Sequence, residues 1–263
     1  MTQTASELTG RRCLITGAGG GIGAAVAQRL CAGGAAVVLT DLDREPVSRL
    51  AAELERDGHT AHALALDVVD DGAVAEAIAE AERLLGGLDT LIANAGILTV
   101  APIEELSPEA FRRTLEVNLV GTFLPVRHAV PRLRESGNGA IVCVASQSGI
   151  EGVPEASAYC ASKFGVVGLV QSLARELTGA GIRVNAVAPG LVDTPMLAHF
   201  YERRAELNGG DGGKLMDEAI AEYPIGRLAS PAEVANAIAF LASDAASYVS
   251  GTTLPVIGGQ VSR

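Results

Sequence analysis

The chain has 263 residues, 48% of them hydrophobic and 19% charged, with 31 glycines. That length is one large domain or two small ones and buries a sizeable core without covalent staples, and the apolar fraction excludes a disordered chain. Twenty basic and 31 acidic residues leave a net charge of −11, which excludes the basic field that nucleic acid or an anionic membrane requires.

In chain order, short apolar runs predict strands at Cys13–Thr16, Ala36–Asp41, Ala61–Asp67, Thr90–Ala95, Ala140–Ser146, Arg183–Ala188 and Thr253–Ile257. Helical periods fall between them at Ile22–Ala32, Arg44–Arg56, Gly72–Leu85, Pro108–Arg134, Ala158–Thr178 and Pro231–Ser243. Strands apolar on both faces and separated by helices belong to a parallel sheet covered on each side. The expected fold is therefore α/β: a single doubly wound (Rossmann) domain over 1–263, with a seven-stranded, mostly parallel sheet. Ser230-Pro231-Ala232-Glu233 reads as a capping box with proline at the first helical position, and Ser107-Pro108-Glu109 repeats most of it. Pro125 and Pro131 are expected to kink or end the fourth helical pattern early.

Met1–Leu8 has no apolar signal core, so a cytoplasmic protein is expected, and no apolar stretch is long enough to span a bilayer. Cys13, Cys31, Cys143 and Cys160 lie far apart in apolar segments and read as reduced core residues. The four histidines form no metal-binding pair, so no metal is expected. Pro195–Pro224 carries no strand signal and is interrupted by Asn208-Gly-Gly-Asp-Gly-Gly-Lys214. A stretch of this kind, at about 195–225, reads as a substrate lid.

The first strand runs into Gly17-Ala18-Gly19-Gly20-Gly21-Ile22-Gly23 and then a helix. Glycines there permit the turn and let backbone approach a pyrophosphate held at the helix N-terminus. Asp41 ends the second strand, where a dinucleotide fold holds the acid that accepts from the adenosine ribose hydroxyls. Its charge opposes a 2′-phosphate, so NAD is preferred over NADP, with Arg44 read as a surface residue at a helix start.

Scarcity singles out the next pair. The chain has 18 arginines but two lysines, Lys163 and Lys214, and four tyrosines. Tyr159 precedes Lys163 by four residues, a match expected by accident only about 0.03 times. The spacing puts both on one helix face, where an ammonium lowers a phenol's pKa and makes it a usable acid/base. Ser146 ends the fifth strand, without the surroundings of a nucleophile elbow. Gly17, Asn94-Ala95-Gly96, Ser146 and Pro189-Gly190 all fall at carboxyl ends of strands, the edge where ligands collect.

These residues resemble the short-chain dehydrogenase/reductase family over nearly the whole chain: Thr16-Gly17-x-x-x-Gly21-x-Gly23, Asp67-Val68, Asn94-Ala95-Gly96, Asn118, Ser146, Tyr159-x-x-x-Lys163 and Pro189-Gly190-x-x-x-Thr194. The resemblance implies that Tyr159 is the acid/base on the substrate oxygen and that Ser146 hydrogen-bonds that oxygen. Lys163 would grip the nicotinamide ribose, and Asn118 would anchor a water in the proton relay. It further implies cofactor contacts from Gly17, Gly19, Gly21, Ile22, Gly23, Asp41, Leu42, Asp67, Val68, Asn94, Ala95, Gly96, Pro189, Gly190, Val192 and Thr194.

Two departures stand out: Ala93 replaces the first asparagine of Asn-Asn-Ala-Gly, and Ile257-Gly258-Gly259 replaces Asp-Gly-Gly, which bears on a subunit contact. Gln147, beside Ser146, is similar to the residue of polyol and vicinal-diol members and implies a small polar diol, polyol, sugar or hydroxyketone. The alternatives are an NADPH-dependent 3-oxoacyl-thioester reductase and, from another class, a catalytically silent nucleotide-binding scaffold. The family also implies a homotetramer or dimer that pairs the Pro108–Arg134 and Ala158–Thr178 helices.

Overall fold

A computed structural model describes residues 7–260. Seven strands, β1 (Arg12–Thr16), β2 (Ala36–Asp41), β3 (Ala61–Ala65), β4 (Thr90–Ala93), β5 (Gly139–Val144), β6 (Ile182–Pro189) and β7 (Thr253–Val256), form one sheet in the order β3-β2-β1-β4-β5-β6-β7. Every pairing is parallel, so the expected "mostly parallel" sheet is wholly so. The strand order reverses between β1 and β4, which opens a crevice at their carboxyl ends.

Alternation along the strands divides the core into two layers. Cys13, Ile15, Val37, Leu39, Ile92 and Val142 face helices α1 (Gly21–Ala32), α2 (Arg44–Arg56) and α9 (Pro231–Ala242). Leu14, Val38, Leu91 and Ile141 face α3 (Asp71–Leu85), α5 (Gly121–Ser136) and α6 (Ser157–Leu177). The four cysteines are free and buried. The capping box at Ser230 and Glu233 is formed, and Ser107 caps α4 (Pro108–Leu115) through the Ala110 N–H. Such caps each contribute about 1 kcal/mol by satisfying first-turn donors. No helix among the described residues is long and apolar enough to cross a membrane, and none of their acidic, His or Cys groups clusters as a metal site.

Two expectations are corrected. The helix does not stop early at Pro125 or Pro131: α5 runs through both and ends at Gly137, whose φ is +70°. The interruption lies upstream, in a π turn at Glu116–Val120 closed by the Gly121 N–H donating to Glu116 O. Pro125 offers no N–H to Gly121 O, so the first turn of α5 lacks one backbone bond. The stretch after Pro195 is also not a long loop. It folds as α7 (Pro195–Asn208) and α8 (Gly212–Ala221), capped by Thr194 and Asp211. A third apolar cluster of Val100, Ala156, Cys160, Phe200 and Tyr201 seats α7 on the segment before α6.

Candidate active site

The β1–α1 turn is held by its neighbours. Asn94 Nδ2 donates to Thr16 O (3.1 Å) and Gly17 O (2.7 Å), while Thr16 Oγ1 accepts from the Asn94 and Ala95 N–H groups at 3.0 and 3.1 Å. This lacing fixes the end of β4 against the turn. A Cβ on Gly23 would stand 2.1 Å from Gly17 O, and one on Gly17 would stand 2.7 Å from Ala95 Cα. No side chain fits there, whereas the space beside Gly20 is open and Gly21 lies under Thr194. No side chain caps the N-terminus of α1, so its first-turn donors face outward. A cradle of this shape fits a pyrophosphate.

Asp41 meets the turn from β2, its Oδ2 accepting from the Gly19 N–H at 2.9 Å. Leu42 follows it, 66% exposed. Asp67 lies just past β3 and accepts from the Val69 N–H, and Val68 packs against Gly121. Pro189 ends β6, the Gly190 N–H donates to Val256 O, Val192 is buried, and Thr194 caps α7. Ile22 is half-buried in the first turn of α1. The expected cofactor residues thus line one edge of the sheet.

Tyr159 and Lys163 lie in the first turns of α6, with the Lys163 ammonium 5.6 Å from the Tyr159 ring centre. Lys163 is 4% exposed, and one of its N–H groups donates to Val144 O at 2.7 Å. That carbonyl belongs to the last residue of β5, two before Ser146. Ser146 Oγ accepts from the Ser148 N–H (3.1 Å) and stands beside the Tyr159 phenol. Burial pushes the phenol above its ordinary value, with the Ser146 hydroxyl opposing it, and burial pulls Lys163 down to about 8. This corrects the expectation that Lys163 lowers Tyr159. The ammonium is turned toward the Val144 carbonyl, and desolvation of the phenolate sets the direction of the shift.

Asn118 sits in the π turn, fully buried. Its Oδ1 accepts from the Ile97 N–H (2.8 Å), and its Nδ2 donates to Ile97 O and Ser162 Oγ, both at 2.9 Å. The side chain braces the loop after β4 against α6, and a Cβ on the intervening Gly96 would stand 3.2 Å from Asn118 Oδ1 and 3.5 Å from Lys163 Nζ. Its amide donors are spent on protein, so a water anchored here must use the remaining acceptor capacity.

The far wall was only partly legible in sequence. Gln147, 8% exposed, takes the Tyr223 phenol O–H on Oε1 and donates through Nε2 to Glu151. Sequence reasoning found Gln147 but missed Tyr223, Glu151 and Ser162. Of these only Tyr223, one of four tyrosines in the chain, carried a signal, its rarity. Lys214, the second lysine, faces Glu218 on the exposed side of α8 and takes no part.

The model of a family described as enoyl-(acyl carrier protein) reductase matches residues 17–260. The chain belongs to the short-chain dehydrogenase/reductase family. A relative named cis-4-hydroxycyclohexanecarboxylate dehydrogenase, from Sinomonas cyclohexanicum, is 45% identical across 95% of this chain and 96% of its own. A D-threitol dehydrogenase from Mycolicibacterium smegmatis is 40% identical across 96% of this chain and 94% of its own. Among solved structures, an NAD+-bound xylitol dehydrogenase superposes with a TM-score of 0.93 at 31% identity, covering 97% of this chain and all of that one. This short-chain dehydrogenase/reductase is therefore an oxidoreductase of alcohols on a Rossmann nucleotide-binding fold, and a nicotinamide cofactor is typical of such enzymes.

Proposed function

We propose that this short-chain dehydrogenase/reductase uses NAD to interconvert a secondary alcohol and a ketone, its substrate a small polar diol, polyol, sugar or hydroxyketone. The observation that carries the reading is the convergence of Ser146, Tyr159 and Lys163 beside a glycine cradle whose Gly19 N–H is engaged by Asp41. The glycine cradle, Asp41, Thr194 and Lys163 would hold the cofactor, and the nicotinamide, when bound, accepts or donates the hydride. Asp41 supports NAD because a carboxylate at that position accepts from ribose hydroxyls and repels a 2′-phosphate. The names of a threitol and a xylitol dehydrogenase among the related proteins support a polyhydroxy substrate.

Tyr159 moves the proton. Its buried, neutral phenol is a donor to a ketone oxygen, and the reverse reaction needs the phenolate, so oxidation gains as pH rises. Ser146 Oγ holds the same substrate oxygen in line. Lys163, anchored at Val144 O, keeps two N–H donors for ribose hydroxyls or a water. Asn118 positions the Ile97 loop and Ser162 around that lysine. Helices α7 and α8 form the lid over the substrate side. Four free, buried cysteines support a reducing compartment, the cytoplasm. Exposed Phe123 on α5 and Phe164 on α6 support a homotetramer or dimer built on those helices.

The test compares wild type with Tyr159→Phe in calorimetric titrations with NADH and NADPH and in turnover of a diol series. Turnover falls by about 10²–10⁴ in Tyr159→Phe, while both proteins bind NADH alike and more tightly than NADPH. Retained turnover overturns the role of Tyr159. Tighter NADPH binding overturns that of Asp41 and promotes the 3-oxoacyl-thioester reductase.

A further inference from the structure

Beginning at Gln147, the residue next to Ser146, three side chains form a hydrogen-bonded chain with a defined direction. Tyr223 O–H donates to Gln147 Oε1, and Gln147 Nε2 donates to Glu151. The direction follows from chemistry. A carboxylate accepts only, so it must face the amide nitrogen, and the amide oxygen must then face a donor. The Glu151 charge also bears on Tyr223, whose phenol burial raises to about 12, so Tyr223 stays a donor throughout the working pH range. Gly190, at the end of β6, leaves room for this packing: a Cβ there would stand 2.9 Å from the Tyr223 ring and 3.1 Å from Gln147 Oε1.

The charge at the end of the chain is uncompensated. Among the described residues no Arg, Lys or His lies within 4.0 Å of Glu151, and Gln147 is its only side-chain partner. The nearby Glu155 is different: its charge is paired with the Arg204 guanidinium at 2.7 Å, and Asn208 Nδ2 donates to its other oxygen at 2.7 Å. Glu151 is half-buried, and the Gln147 amide takes one of its two oxygens. Such a carboxylate accepts a hydroxyl hydrogen or meets an ammonium, and it opposes a carboxylate or a phosphate.

Resting on the reading of this site as that of an alcohol dehydrogenase, we propose that Glu151, oriented by Tyr223 and Gln147, touches the substrate's second polar group and makes the enzyme discriminate against anionic substrates in favour of neutral polyhydroxy ones. Tyr223 and Gln147 are positioning residues in this scheme. Glu151 sets specificity.

The probes are cis-cyclohexane-1,4-diol and cis-4-hydroxycyclohexanecarboxylate, which share a ring and a reacting hydroxyl and differ in the group opposite. In the wild type the diol has the higher kcat/KM. The ratio of the two values falls by about tenfold or more in Glu151→Gln, as a charged hydrogen bond is worth, and inverts in Glu151→Lys. Tyr223→Phe moves the ratio in the same direction by freeing the Gln147 amide to turn. A purely structural role for Glu151 lowers both values together and leaves the ratio fixed. A ratio within about twofold of wild type in both Glu151 variants, or a wild type that prefers the carboxylate, overturns the inference while leaving the enzyme an alcohol dehydrogenase. Failure of the wild type to oxidise any neutral alcohol with NAD, cyclohexanol included, overturns the underlying reading instead.

Discussion

Lys163 is buried, cationic at neutral pH and pulled down to about 8 by desolvation. A ribose hydroxyl held by the ammonium binds its protonated form, so binding raises the lysine's pKa and takes up a proton wherever the free site has lost one. Cofactor affinity is thus expected to be level below about pH 8 and to fall above it, by about tenfold per pH unit at most. Calorimetry from pH 6.5 to 9.5, in buffers of differing ionisation heat, reads both the fall and the proton uptake; Lys163→Ala binds weakly and without that dependence. A flat wild-type profile would remove the direct lysine–ribose contact. Tyr159 and Lys163 stand out in the sequence because lysine is so scarce in the chain. The Tyr223–Gln147 bond spans 76 positions in sequence, and no local spacing signals a contact of that length.

At the scale of elements, strands and most helices could be read from hydrophobic period because each buries a face in one of two continuous layers. The π turn could not. Residues 108–134 keep an apolar rhythm through it, and the extra residue in the turn, which carries Asn118 inward, leaves no compositional mark. The glycine-rich Asn208–Lys214 run suggested an open loop, but Gly212 and Gly213 start α8 because Asp211 caps it and Tyr201 seats the pair on the third cluster. What ties this unit to the catalytic side is Glu155, a non-glycine residue at φ +66° held by Arg204 and Asn208. Removing the guanidinium in Arg204→Ala is expected to cost about 1 kcal/mol of stability and to speed protease cleavage at 209–211, with fold and NADH affinity retained. Thermal denaturation and timed proteolysis check this; unchanged cleavage would show that the apolar cluster alone holds α7 and α8.

For the molecule as a whole, the exposed rings of Phe123 (43%) and Phe164 (47%) stand on the helices proposed to pair between subunits. Around Phe164, Ala161 and Gly168 are also exposed, with nothing to stop a close approach at Gly168. Light scattering after size exclusion should give a dimer or tetramer for wild type and a smaller species for Phe164→Asp, since a buried unpaired carboxylate costs several kcal/mol. A monomeric wild type would remove the oligomer from the proposal. The lysine distribution has a practical consequence at this same scale. With one ammonium buried in the proposed catalytic site and the other 78% exposed on α8, an enzyme grown on isotopically labelled lysine would show two side-chain resonances. One is a reporter of everything that enters the pocket and the other an internal reference for solvent, and no mutation is needed to assign them beyond Lys214→Arg.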